Sequence, residues 1–258
     1  MPNPKPTQFL DRFTGRAGDY AKYRPTYPSG IISYLEDKIR FNQSWVVADI
    51  GSGTGILSEL FLRNGNRVFC VEPNGDMRQV AEKNLEKYGP LFISVDGRAE
   101  ATNLKPDSVD LVVAGQALHW FDLRGARSEF RRILRKNGRV AIIYNHRKKG
   151  GRLEMAYDRI VVRHRRNRPP VPDANNAYVS KFLGVRKHDT MVLPNSQTLD
   201  LDGILGRLAS ASYMPARGTR RWTAIENDAR KLVQKYGRNG KVSLRYDTTI
   251  YLGRIAGR

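Results

Sequence analysis

Two hydrophobic rhythms alternate through the first part of the chain. Short apolar runs at 46–50, 68–72, 91–95, 109–114 and 139–145 have the length and the Val/Ile content of buried strands. Between them, apolar residues recur at helical spacing: Ile56, Leu57, Leu60 and Phe61, then Met77, Val80, Ala81, Leu85 and Tyr88, then Leu123, Ala126, Phe130, Ile133 and Leu134. Asn64-Gly65, Gly89-Pro90 and Gly138 follow these segments as helix stops. Strand alternating with helix predicts a parallel sheet carrying helices on both faces.

Beyond Asn145 the alternation fails. A basic segment begins at 146–151 and runs to Pro169-Pro170, enclosing a helix expected at 152–166 with Leu153, Ala156, Tyr157, Ile160 and Val161 inward. Residues 173–198 read as irregular apart from a strand at 190–193. Helices are expected at about 200–210 and 222–236, and the alternation of Val242, Leu244, Tyr246, Thr248, Ile250 and Leu252 predicts a final strand. At the other end, residues 1–8 form a polar, proline-rich arm. An aromatic cluster around Arg24, from Phe13 to Pro28, then precedes a helix with Ile31, Ile32, Leu35 and Ile39 on one face.

The candidate chemistry begins where the first strand breaks into Asp49-Ile50-Gly51-Ser52-Gly53-Thr54-Gly55. Alternate glycines allow positive φ and close backbone approach, so the turn can wrap a ligand whose polar end faces a helix N-terminus. The spacing is G-x-G-x-G, not the dinucleotide G-x-G-x-x-G. Glu72 ends the second strand, and one carboxylate accepts both hydroxyl protons of a cis-diol. The run Gln116-Ala117-Leu118-His119-Trp120-Phe121-Asp122 follows the fourth strand, at the edge of the sheet where ligands of open α/β folds sit.

The turn together with Glu72 resembles the class I S-adenosylmethionine-dependent methyltransferases. The resemblance implies an α/β, Rossmann-like, seven-stranded sheet, mostly parallel with an antiparallel closing strand, helices on both faces and a helical, irregular substrate cover. It implies S-adenosylmethionine as cofactor, leaving as S-adenosylhomocysteine. The cofactor contacts it implies are Asp49, Gly51, Ser52, Gly53 and Gly55 at the turn, Glu72 at the ribose with Pro73 and Met77 beyond it, and Gln116 after the fourth strand. The loop Gly97, Arg98, Ala99 and Glu100 falls where the family holds adenine. Many relatives carry an aspartate where this chain has Arg98, so backbone groups of Arg98 and Ala99 are expected to serve there, while Glu100 is either a ligand contact or a helix cap.

Tyr20-Ala21-Lys22-Tyr23-Arg24-Pro25-Thr26-Tyr27-Pro28 resembles the Y-x-x-x-R-P-x-Y-P segment of small-molecule enzymes related to trans-aconitate methyltransferases. The resemblance implies that Arg24 faces the cofactor's carboxylate and that Tyr20 helps close the site; the residues alone also allow aromatics that pack a helix onto the sheet. The A-x-H-W-F-D run is similar to the same group, and Tyr23, His119, Trp120 and Tyr144 are the expected acceptor contacts. His119 is the candidate general base for a hydroxyl acceptor, because imidazole titrates near neutrality. For a carboxylate acceptor it would orient the substrate, and packing beside Trp120 is the alternative. A D/N-P-P-Y/F tetrad, which accompanies methylation of amide and base nitrogens, is absent from the sequence.

Length and charge narrow the picture. The 258 residues suit one structural domain, divided into an arm and covering helix (1–40), a cofactor-binding core (41–146), a basic substrate cover that includes part of the sheet (147–218), and a last helix with the closing strand (219–258). Lys and Arg number 45 against 25 Asp and Glu, a formal charge of +20 with a pI near 10.3. Such a field attracts polyanions, or reflects arginine spread over solvated faces. Two acceptor classes compete: a small, possibly anionic metabolite methylated on a hydroxyl or carboxylate oxygen, and RNA on a basic face. The motifs favour the first, and no RRM or KH pattern supports nucleic acid. Cys70, the single cysteine, lies in an apolar run and predicts a buried thiol in a reducing compartment. Neither a signal core nor an apolar run of membrane-spanning length is present, so a cytoplasmic protein is expected. His146, His164 and His188 lack metal-ligand spacing, and no metal is expected. No pattern in the chain fixes an oligomeric state.

Overall fold

A computed structural model describes residues 15–166 and 175–256. The expected arm at 1–8, Phe13 and Pro169-Pro170 lie outside the described residues. The strands are β1 (Val46–Ile50), β2 (Arg67–Val71), β3 (Phe92–Val95), β4 (Val109–Gly115), β5 (Leu134–Arg147), β6 (Asp189–Leu199) and β7 (Val242–Gly253). The helices are α1 (Ala17–Tyr23), α2 (Gly30–Ile39), α3 (Ile56–Arg63), α4 (Gly75–Leu85), α5 (Leu123–Ile133), α6 (Arg152–His164), α7 (Asn176–Leu183), α8 (Leu201–Ala209) and α9 (Arg220–Tyr236).

The strands form one sheet in the order β3-β2-β1-β4-β5-β7-β6. β7 runs antiparallel to both of its neighbours, and the other pairs are parallel. The chain is therefore a Rossmann-like α/β fold whose antiparallel strand is inserted beside the edge. Strand side chains alternate between faces, which explains why the central runs are apolar throughout. Val47, Leu111, Val113, Ala141 and Ile143 pack with α2, α3 and α4 on one face. Ala48, Ile50, Val112, Ala114, Val140 and Ile142 pack with α5 and α7 on the other. Phe130 of α5 meets Phe182 of α7 edge-on, with centroids 5.5 Å apart, a pairing that adds about 0.5–1.5 kcal/mol beyond area burial. A third core joins α6, α8 and α9 to Val242, Leu244 and Tyr246 of β7. Cys70 is buried, and burial raises its thiol well above the ordinary range.

Several element boundaries differ from the sequence pattern. Helix α5 stops at Ile133, not at Gly138, because the carbonyls of Arg132 and Ile133 accept from Asp107 and Ser108 at the entrance to β4. The chain is thereby drawn into extended pairing, Leu134 against Val109. Helix α4 ends at Leu85 and continues as a tighter 3₁₀ turn to Leu91, with Gly89 at φ 53°. The stretch read as irregular holds α7 and the eleven-residue β6. The strand expected at 190–193 is the first part of β6; its continuation to Leu199 carries no one-sided hydrophobic pattern, because β6 is an edge strand with Met191 and Val192 exposed and Pro194 within it. The aromatic N-terminal segment also contains the seven-residue helix α1.

Candidate active site

The glycine turn links β1 to α3 through three left-handed residues, Gly51 (φ 69°), Gly53 (φ 58°) and Gly55 (φ 81°). A side chain at Gly51 would meet Ala117 at 2.9 Å and one at Gly55 would meet Leu85 at 2.4 Å, whereas one at Gly53 would meet nothing within 4 Å. The first and last glycines thus allow close packing, and the middle one leaves open space above the backbone. The turn is fastened from beneath. The N–H groups of Gly51 and Ser52 both donate to the Val71 carbonyl, and Gly53 N–H donates to Glu72 Oε2 at 2.9 Å. Glu72 Oε1 accepts from Asn74 N–H, also at 2.9 Å. Burial raises the Glu72 carboxyl, opposed by these two N–H donors.

Asp49, the last polar residue of β1, is fully buried. Its Oδ2 accepts from the Ser58 hydroxyl at 2.6 Å, while Oδ1 is buried without a hydrogen-bond partner. Burial pushes this carboxyl up to about 7, nearby Glu72 adds to the rise, and the Ser58 hydrogen bonds oppose it.

A cleft with about 480 Å³ of empty space, part of it open to solvent, lies above the turn at the carboxyl ends of β1 and β4, the place expected for ligands in such sheets. Asp49, Gly51, Ser52, Gly53 and Gln116 line its floor, and Tyr20 and Arg24 come from the covering segment. Arg24 caps α1, lies over the Tyr20 ring at 4.7 Å and donates to the Ser210 carbonyl at 3.2 Å. Burial and the neighbouring Arg207 guanidinium both lower its proton affinity. Gln116 holds a left-handed φ of 56° and donates through Nε2 to the Asn145 carbonyl.

The remaining expected contacts stand outside the cleft lining. Gly55 is the N-cap position of α3. Pro73 and Met77 flank the Asn74 cap of α4, whose side chain accepts from Met77 N–H. At the adenine loop the backbone N–H and C=O of Arg98 both pair with Ala101, and the Arg98 side chain is exposed. Glu100 accepts from the N–H of Asp122, the cap residue of α5, and so tethers the loop to that helix. Gly97 presses against the Thr102 carbonyl, where a side chain would lie 2.7 Å away. Tyr23 packs its ring on Gly206 of α8, and its carbonyl accepts from Gln197. His119 Nδ1 lies 2.9 Å from the Tyr144 hydroxyl, its ring sits 4.6 Å from that of Trp120, and Tyr144 stacks on His146.

Sequence reasoning missed Pro25, Tyr27, Ile56, Leu57, Gly115, Asn145 and Arg207 as lining residues. Pro25 and Tyr27 lay within the covering motif but were not singled out. The Tyr27 hydroxyl occupies the space a side chain at Gly115 would need, 2.6 Å away. Asn145 follows directly from the end of the strand pattern, and its side chain, with that of Asn195, donates to the Thr26 carbonyl and holds the cover on the sheet. Arg207 carries no local signal, since only the folding of α8 onto α1 brings it to the cleft.

A largely parallel sheet with an antiparallel strand beside its edge, and a G-x-G-x-G turn leaving β1, define a class I methyltransferase fold. Residues 48–142 match the methyltransferase-domain family. An uncharacterized methyltransferase-like protein of Schizosaccharomyces pombe is 24% identical over 94% of each chain. An uncharacterized methyltransferase of the same yeast is 34% identical over 50% of each chain, and the chain spans about half the length of several such relatives. A candidate type II methyltransferase from Anaeromyxobacter dehalogenans shares the fold with a TM-score of 0.65 at 24% identity, covering 90% of this chain and 98% of that one. Residues 48–142 therefore carry a methyltransferase domain, and over its length the chain is similar to methyltransferases. Among the described residues no helix is long and apolar enough to cross a membrane.

Proposed function

We propose that the chain methylates a small, anionic acceptor on a hydroxyl or carboxylate oxygen. The reading is carried by the charge layout of the cleft: the unpartnered Oδ1 of Asp49 at its floor and the Arg24 guanidinium in its cover. These match the ammonium and carboxylate ends of an amino-acid cofactor. Bound there, S-adenosylmethionine supplies a methyl group already activated by its sulfonium. Gly51, Ser52 and Gly53 give it backbone at close range, and Gly55 turns the chain into α3. Glu72 is fixed by two N–H donors, and the second lone pair of each oxygen is left for the ribose hydroxyls. Pro73 and Met77 belong to the turn beside Glu72, Gly97 and Ala99 supply the adenine loop, and Gln116 borders the reacting side.

On the acceptor side, His119 is oriented through Nδ1 by the Tyr144 hydroxyl. For a hydroxyl acceptor it removes the proton, a role worth about 10²–10⁴ in rate; for a carboxylate acceptor it positions the oxygen. Trp120 and Tyr144 frame this side, while Tyr23 supports the cover. Positioning and water exclusion carry most of the remaining barrier reduction, about 7–11 kcal/mol in favourable cases. Incubation with radiolabelled S-adenosylmethionine, alongside a metabolite extract and total RNA in parallel, tests the acceptor class. Label is expected in the small-molecule fraction, and label confined to RNA overturns the reading.

A further inference from the structure

The cover segment holds a second guanidinium that the cofactor scheme does not use. Arg207 of α8 is only 6% exposed and lines the cleft together with Arg24. Its buried Nε has no hydrogen-bond partner. Among the described residues no carboxylate forms an ion pair with it; the groups around it are the phenols of Tyr246, Tyr157 and Tyr213. Several other guanidinium groups among the described residues are matched by carboxylates. Arg147 pairs with Asp158, Arg132 with Glu129 and Arg245 with Glu154. A buried cation without an anion costs several kcal/mol, and at the wall of a cleft that cost is relieved when an anionic ligand enters.

The size and shape of the charge select the ligand. With Arg24 opposite the cofactor's own carboxylate, one guanidinium remains, and its planar fork fits two oxygens in one plane. We infer that Arg207 is the receptor for a carboxylate group of the acceptor, and that it fixes which end of the acceptor faces the methyl donor. The inference rests on the proposed placement of cofactor and acceptor in this cleft. The buried Tyr246 hydroxyl beside this guanidinium stands ready as a neutral donor to the same carboxylate.

The test uses the full chain saturated with S-adenosylhomocysteine and titrated calorimetrically with butyrate, phenylacetate and benzoate, each paired with its amide, and with phenyl phosphate. At least one carboxylate should bind tenfold or more tighter than its amide and tighter than phenyl phosphate. Arg207→Gln should erase that preference while shifting the S-adenosylhomocysteine Kd by less than twofold, and Arg207→Lys should restore part of it. Arg207→Met should leave the ligand-free Tm unchanged or higher, whereas an arginine kept for structure would lower it. The inference is overturned if no pair prefers the carboxylate, if the preference survives in Arg207→Gln, if phenyl phosphate binds tighter, or if Arg207→Gln weakens S-adenosylhomocysteine instead. Failure of the wild-type chain to bind S-adenosylhomocysteine at all would remove the cofactor placement first, and the inference with it.

Discussion

Replacing Asp49 with Asn separates what a buried carboxyl costs the fold from what it contributes to binding. Asp49 is fully buried, and burial lifts its carboxyl to about 7, whereas in the unfolded chain it titrates near ~3.9. The folded value is the higher one, so the group's stabilisation is complete below the unfolded value and is lost as pH rises through the folded value. Linkage with these two values gives a penalty of about 1.5 kcal/mol at pH 5 and about 4 kcal/mol at pH 8. Asparagine buries no charge, although its NH₂ group, set where Oδ1 now lies without a partner, forfeits about 1–3 kcal/mol. That forfeit does not vary with pH. The stability of Asp49→Asn relative to wild type should therefore improve by about 2.5 kcal/mol between pH 5 and pH 8, whatever its starting offset. Urea unfolding of the ligand-free proteins at the two pH values measures this directly, and the other titrating groups cancel in the comparison. A pH-independent difference would refute the reasoning. The same variant should bind S-adenosylhomocysteine at least tenfold more weakly at pH 8, about 1.4 kcal/mol.

Glu72→Ala should raise the S-adenosylhomocysteine Kd at least tenfold, about 1.4 kcal/mol; unchanged calorimetric binding removes the ribose assignment. Gly55→Ala sets a side chain 2.4 Å from Leu85 at φ 81° and should destabilise the fold by about 2–3 kcal/mol. Gly53→Ala meets no atom within 4 Å, so it should cost only about 1–2 kcal/mol of stability yet abolish cofactor binding. The pair discriminates a packing glycine from a cleft glycine, and equal loss of Tm in both would contradict it. Gly206→Ala places a side chain 2.1 Å from the Tyr23 ring and should expose α1 to limited proteolysis, with S-adenosylhomocysteine only partly restoring protection. Once an acceptor is in hand, His119→Ala should lower kcat at least a hundredfold for a hydroxyl acceptor and leave the cofactor Kd unchanged; full turnover removes the base.

The central strands and the glycine turn were legible because the sheet interior is apolar on both faces, so that β1, β4 and the centre of β5 read as short runs rich in Val, Ile and Ala. The turn at Gly51–Gly55 was legible because its three left-handed positions favour glycine, two of them pressed against neighbouring side chains. The full length of β6 and the helix α7 were not legible: beyond 190–193 an edge strand with a solvated face has no periodic signature, and the eight residues of α7 are too few for helical spacing to stand out. The C-terminal limit of α5 was hidden as well, since capture of its last carbonyls by residues 107 and 108 is a tertiary event. The same distinction applies within the site. Tyr20, Arg24 and Gln116 sit in motifs that can be read locally. Arg207 is one arginine in a chain rich in them, and its burial becomes visible only after α8 has packed against Tyr23.

The docking of α1 also dictates an order of events during synthesis. Arg16, at the cap of α1, donates to the carbonyls of Ala209, Ala211 and Met214, across separations of 193, 195 and 198 residues. Closing so long a loop adds little to the equilibrium cost, about 0.6 kcal/mol for each doubling of length, but such distant contacts form late. The N-terminal helix therefore leaves the ribosome long before its seat exists. A nascent chain arrested ahead of residue 209 would carry the glycine turn without a cover, and α1 would stay open to proteases and chaperones until α8 had emerged.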